Sequence, residues 1–164
     1  FLIVWLSQDY LQQLNIPIQA FGWAWAVFHL GMSLASVNSH HLQRILGTRR
    51  AILLLIVTLA VSYVCLGNIR HIWGLVFILS IYLVRGFCTP LILNSMNQQI
   101  SSSVRATVLS LNSLVFRITF AIVAPLVGAI ASGYNLFLGL IFGGCLFLIA
   151  GCCCWWQLIK QKAF

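Results

Sequence analysis

Acidic side chains are all but missing from this sequence: Asp9 is the only one among 164 residues. Paired-carboxylate chemistry is therefore excluded, and no Ser/His/Asp set, His-rich metal cluster or phosphate-cradling glycine loop replaces it. Charged residues of both signs make up 6%, where a soluble domain carries about a quarter. Water cannot be the solvent for most of this surface. Long polar linkers are absent too, so no boundary between domains is expected.

The six cysteines, Cys65, Cys88, Cys145 and Cys152–Cys154, all sit within or at the end of apolar runs. They form no CxxC and have no His at ligand spacing, which removes a zinc site and a disulfide framework. They read as small core or lipid-facing residues, with reversible acylation of Cys152–Cys154 as the alternative.

What is present is hydrophobic: 62% of the chain. About 20 apolar residues cross a hydrocarbon core, and five runs approximate that: Ile18–Asn38, Ala51–Gly67, Ile72–Leu93, Ala106–Ala131 and Tyr134–Trp156. Phe1–Leu6 is too short to span and reads as the tail of a sixth, so a fragment is expected. Ser7–Pro17 reads as the polar connection that follows it. Nothing before the Phe1–Leu6 run is positive, which argues against a signal peptide. The chain reads as an all-α membrane protein, a bundle of transmembrane helices.

The connections predict orientation. Arg44, Arg49, Arg50, Arg105, Lys160 and Lys162 fall on one side and Arg70 alone on the other, which places the C-terminal end in the cytoplasm. Scattered over separate loops, these charges make no basic stripe, so the +8 net charge does not point to nucleic acid. Trp155 and Trp156 suit the cytoplasmic headgroup belt, and Trp73 the opposite one.

The two remaining cations, Arg85 and Arg117, lie mid-run with no acid in either run. Each costs about 2.5–3.5 kcal/mol to insert and normally faces a bundle interior or a watery cavity. At 1.5 Å per residue His29 lies roughly 16 Å, Arg85 about 13 Å and Arg117 about 18 Å from the basic ends of their helices. All three are near the midplane of a core about 30 Å thick, where transporter sites sit.

Helical steps of three and four extend each into a stripe. One holds Gly22, Ala26, His29, Ser33 and Ser36; another Ser110, Ser113, Arg117, Ala121, Ala124 and Gly128; a shorter one Tyr82, Arg85 and Thr89. Small and hydroxylated stripes serve a wet cavity or close helix packing equally well. The arginines favour the cavity, because packing needs no guanidinium, whose planar fork of donors suits an anion. The bland readings stay open: His29 bonded to a neighbouring helix, and either arginine paired with a helix end or with a carboxylate outside this chain.

Counting the truncated helix as first, the spans form two triplets with His29 and Arg117 on the middle members and no ionisable group on the last. An inverted repeat of three plus three helices has this form, with middle members lining a cavity and last members facing lipid. Pro90 and Pro125 interrupt long spans and are candidate hinges, and Gly139-x-x-x-Gly143 is a candidate packing motif.

The stretch Arg85-Gly86-Phe87-Cys88-Thr89-Pro90, then Asn97, Arg105-Ala106-Thr107-Val108-Leu109-Ser110-Leu111-Asn112-Ser113-Leu114, Arg117, Pro125 and Gly128 resembles the tenth and eleventh helices of the major facilitator superfamily. Gly47-Thr48-Arg49-Arg50 after Arg44 is similar to the degenerate copy of its basic loop motif. Two departures stand out. The loop lacks the family's Asp, and Ser101-Ser102-Ser103 replaces a frequent Pro-Ser-Glu, leaving Ser103 to cap the next helix.

The resemblance implies a C-terminal six-helix half with its first helix truncated, working by alternating access beside a missing N-terminal six-helix half. The expected site is Arg117, Arg85, His29 and Ser113, on a small solute that is anionic or strongly polar. The expected setting is membrane lipid, with the bacterial inner membrane as location. No enzyme activity, cofactor or metal is expected. Rival readings are a small standalone membrane protein that forms a pore or scaffold, and an inactive transporter remnant.

The orientation is directly testable. A single reporter cysteine within Ser39–Arg50 should react only with reagents on the cytoplasmic side, and one within Asn68–His71 only from outside. Labelling of both from one side would end the span assignment.

Overall fold

The computed structural model of the protein describes residues 2–101 and 103–160, the side chains of 98, 99, 158 and 159 apart. Phe1, Ser102 and Lys162, named above, lie outside them. Among the described residues there are six helices and no strand: α1 (Leu2–Gln13), α2 (Ile18–Val37), α3 (Ser39–Asn68), α4 (Gly74–Gln99), α5 (Arg105–Gly133) and α6 (Leu136–Lys160). Five of them, α2 to α6, are long and apolar enough to cross a membrane. Helices satisfy every backbone hydrogen bond within themselves, as lipid demands. Short connections make successive helices antiparallel, so the α2–α3 and α4–α5 turns and the end of α6 share one end of the bundle, the basic one.

Helices run further than hydropathy alone suggests. Ser7–Pro17 has the composition of a connection, yet α1 continues to Gln13 with Ser7, Tyr10 and Leu11 buried. Helical spacing explains it: Ile3, Ser7 and Tyr10 share one face at steps of four and three, with Leu2, Leu6 and Leu11 beside them. The Tyr10 hydroxyl donates to the carbonyls of Ile69 (2.7 Å) and His71 (3.1 Å), tying α1 to the α3–α4 turn. On that turn the Arg70 guanidinium lies 4.6 Å from the Phe137 ring centroid of α6.

Ser39–Arg50 is also helical apart from Gly47, whose φ of 72° breaks α3 into a short first segment and a spanning one. Such a positive φ favours glycine. Gln43 bridges the break by donating to the Thr48 hydroxyl at 2.9 Å. The Ser103 cap is not formed: Val104 precedes α5 without a side-chain cap, and the Ser103 hydroxyl pairs with that of Ser101 at 3.1 Å. Asn135 does cap α6, accepting from the Leu138 amide at 2.8 Å.

One core draws on all six helices through Leu6, Phe28, Tyr63, Tyr82, Val127 and Leu140. A smaller one at the basic end joins Ala51, Leu55, Val84 and Leu91 with Leu42 and Leu46. The most extensive packing is α3 on α6, then α3 on α4 and α2 on α4, while α5 rests mainly on α6. The last members of the two triplets, expected to face lipid, thus bury part of their surface against each other. The middle members, α2 and α5, are the least buried spans.

Glycines set these approaches. A Cβ on Gly86 would meet the Met32 carbonyl and come within 2.8 Å of Ala35 Cβ, so α4 touches the α2 backbone there. On α6, Gly139 faces Val127 and Ala131 of α5, and Gly144 faces Ala60 and Tyr63 of α3, so Gly139-x-x-x-Gly143 lies within a real packing seam. Gly22 has open space. Gly86→Leu should therefore lower thermal stability in detergent, on the scale of about 1–3 kcal/mol for an overpacked core, and Gly22→Leu should leave it unchanged. Equal stability of the two variants would refute this crossing.

Candidate functional site

Because Gly86 brings α2 and α4 together, aromatic side chains one turn away interlock. Tyr82 of α4 is fully buried and forms the hub. Phe28 stacks on it with ring centroids 5.3 Å apart, and His29 meets it edge-on at the same distance. The Arg85 guanidinium lies 5.9 Å from its ring centroid, at the outer limit of a cation–π contact. Tyr63 of α3 is within electrostatic reach of both Tyr82 and Arg85, and the buried Ser7 of α1 lies beside the Tyr82 hydroxyl. That hydroxyl makes no hydrogen bond of good geometry. Four helices therefore converge on one aromatic and hydroxyl cluster with a guanidinium in it.

Two of the expected site residues, Arg85 and His29, belong to this cluster. Arg85 is half-buried and His29 exposed. Arg117 and Ser113 are both exposed on α5, on the stripe that continues through Ala121 to Gly128. Gly128 lines a cleft of about 450 Å³ between α1 and α5, where Asp9, Gln12, Gln13 and Ser132 also open. Eleven residues separate Gly128 from Arg117, roughly 16 Å along the helix. Asp9 is thus too remote to neutralise Arg117.

Three faces are distinct on α2, and a stripe of small residues is exposed on α5. On α2, Phe21, Phe28 and Ala35 are buried. Trp23, Val27, Leu30, Leu34 and Val37 are all more than half exposed and form a bulky apolar stripe. Gly22, Ala26, His29 and Ser33 form a separate exposed stripe, roughly 100° around the helix at 3.6 residues per turn. On α5, Val127 is buried, while Leu111, Leu114, Val115, Phe116, Ile118, Ile122 and Leu126 are exposed, Phe116 on the opposite flank of the Arg117 stripe from the rest. The small residues of the Arg117 stripe run between them. Bulky apolar side chains match lipid; small and hydroxylated ones beside a cation do not.

Tyr82, Tyr63 and Ser7 are not among the residues that sequence reasoning assigns to the site. Tyr82 stands in the Arg85 stripe, but only the close approach of α2 makes it central. Ser7 escapes notice because its segment has the polar composition of a loop.

The Major Facilitator Superfamily model matches residues 1–163. The chain belongs to that family. It is thereby a membrane transporter of the major facilitator type, which agrees with five spanning helices, and transport rather than catalysis is the family's activity. No curated protein and no solved structure matches it.

For this major facilitator chain the hub makes a definite expectation. Tyr82→Phe retains the stack with Phe28 and removes a hydroxyl that makes no well-formed hydrogen bond, so thermal stability should hold or rise. Loss of more than about 1 kcal/mol, the scale of a made hydrogen bond, would mean the hydroxyl is engaged in the resting fold.

Proposed function

We propose that this chain is the C-terminal six-helix half of a secondary transporter that moves small solutes by alternating access. Its substrate is anionic or strongly polar and is held by Arg117, Arg85, His29 and Ser113 beside Tyr82. The observation that carries the reading is the exposed stripe of small residues on each of α2 and α5. The stripe bears His29 on one helix and Arg117 on the other, beside bulky lipid-matched side chains. A guanidinium on the lipid face would cost about 2.5–3.5 kcal/mol; facing a second six-helix half across a wet pathway, it keeps its hydration until substrate arrives.

The division of labour follows from the chemistry. Arg117 supplies a bidentate fork to an oxyanion. Arg85 and His29 supply further donors from α4 and α2, both beside Tyr82. A buried hydroxyl without a good hydrogen bond is costly and favours a polar guest that reaches it. The basic end lies in the cytoplasm of a bacterial cell, in keeping with the positive-inside rule. Any proton-coupling carboxylate belongs to the partnering half, since the spans here hold none.

Two experiments test this reading. Co-expression with the partnering half should raise the chain's yield and protease resistance, because the Arg117 face is then covered; an unchanged yield favours the standalone protein. Arg117→Ala should insert normally yet lower transport per molecule by about tenfold or more, the scale of a lost charge-assisted hydrogen bond. Arg117→Lys keeps the charge without the fork and should fall between. Near-normal transport per molecule in Arg117→Ala would remove this residue from the site.

A further inference from the structure

At the basic end, the turn at Asn38 joins α2 to the first segment of α3, which the break at Gly47 separates from the spanning segment and which forms an elbow with α2. A cavity of about 550 Å³ lies in this elbow, lined by Val37, Asn38, His40, His41, Gln43 and Arg44. Leu42 and Leu46 pin the segment to the core formed by Ala51, Leu55, Val84 and Leu91. His40, His41 and Arg44 are left exposed on its other side. Arg49, Arg50, Arg105 and Lys160 add to the positive charge at this end.

The single acid of the chain cannot answer it. Asp9 is on α1, and α2 spans 20 residues, about 30 Å, between that end and the elbow. The anion that complements this end therefore comes from outside the chain. The elbow sits where the spans meet the headgroup layer, marked by Trp155, whose indole donates to the Arg49 carbonyl at 3.4 Å. The cavity is also continuous with an apolar surface. Val37 both lines it and ends the exposed stripe Trp23, Val27, Leu30, Leu34, Val37. A polar seat with an apolar track leading from it into the membrane fits a phospholipid, headgroup on the seat and acyl chain on the track.

We propose that the elbow between α2 and α3 binds one anionic phospholipid, its phosphate held by Arg44, His40 and His41 and an acyl chain laid along the α2 stripe. The site is separate from the Arg117 pathway, which uses a different face of α2. Anionic lipid at a basic membrane surface gains roughly a factor of five per cation, so Arg44 should matter and Arg70, at the opposite end, should not.

The test uses the full-length transporter purified in detergent, titrated with phosphatidylglycerol or with phosphatidylcholine of the same acyl chains, bound lipid being read by native mass spectrometry. Phosphatidylglycerol should bind the tighter and raise the unfolding temperature. Arg44→Gln should weaken phosphatidylglycerol about fivefold and leave phosphatidylcholine unchanged, while Arg70→Gln changes neither. Leu34→Ser with Val37→Ser should weaken the lipid as well. Equal binding of the two lipids would overturn the proposal. So would an Arg44→Gln variant that retains phosphatidylglycerol, or full displacement by soluble glycerol phosphate at equimolar concentration, which would mark a free-phosphate site. Loss of binding in Arg70→Gln would mean diffuse charge attraction and would overturn it too.

Discussion

Helix against helix contact at the level of the backbone underlies the whole arrangement. In lipid no hydrophobic drive draws helices together, and association rests on close van der Waals packing. Gly86 meets Met32 across α2 and α4, and Gly144 meets Ala60 and Tyr63 across α3 and α6. The first contact sets the Tyr82 hub, since Phe28 and His29 reach Tyr82 only when α2 lies that close. The second joins the two triplets through their last members. Each glycine thus acts at a distance, by deciding which side chains a turn away can meet.

The two arginines are handled differently by the same bundle. Arg85 is drawn into an aromatic and hydroxyl environment where Tyr82 offers a π-face. Arg117 stays on an open stripe of α5, the span with the least buried surface. One cation is part of the fold and one is presented by it. Such a pairing of a rigid wall with a presented charge suits a surface that must meet a changing partner.

Much of this was legible in the residues. Apolar runs mark the five spans because hydropathy over about 20 residues is an unambiguous signal in lipid. The stripes of His29 and Arg117 follow from helical steps alone, and the structure leaves both largely exposed. What composition concealed was burial of polar segments. Ser7, Tyr10 and Gln13 look like a loop until Tyr10 is seen to reach carbonyls 59 and 61 residues on. The Gly47 break was equally hidden, since a glycine in a basic stretch signals a turn as readily as a kink. Tyr82 as the hub depended on Gly86, and no one-dimensional spacing relates a residue on α4 to one on α2.

The Tyr10 anchor has a consequence for biogenesis. At ribosomal speeds of about 5–20 residues per second, the acceptors at Ile69 and His71 emerge roughly 3–12 seconds after Tyr10 itself. During that interval the Tyr10 hydroxyl lacks both of its acceptor carbonyls. That anchor is thus a late contact, timed by synthesis of the α3–α4 turn rather than by the exit of Tyr10 from the ribosome.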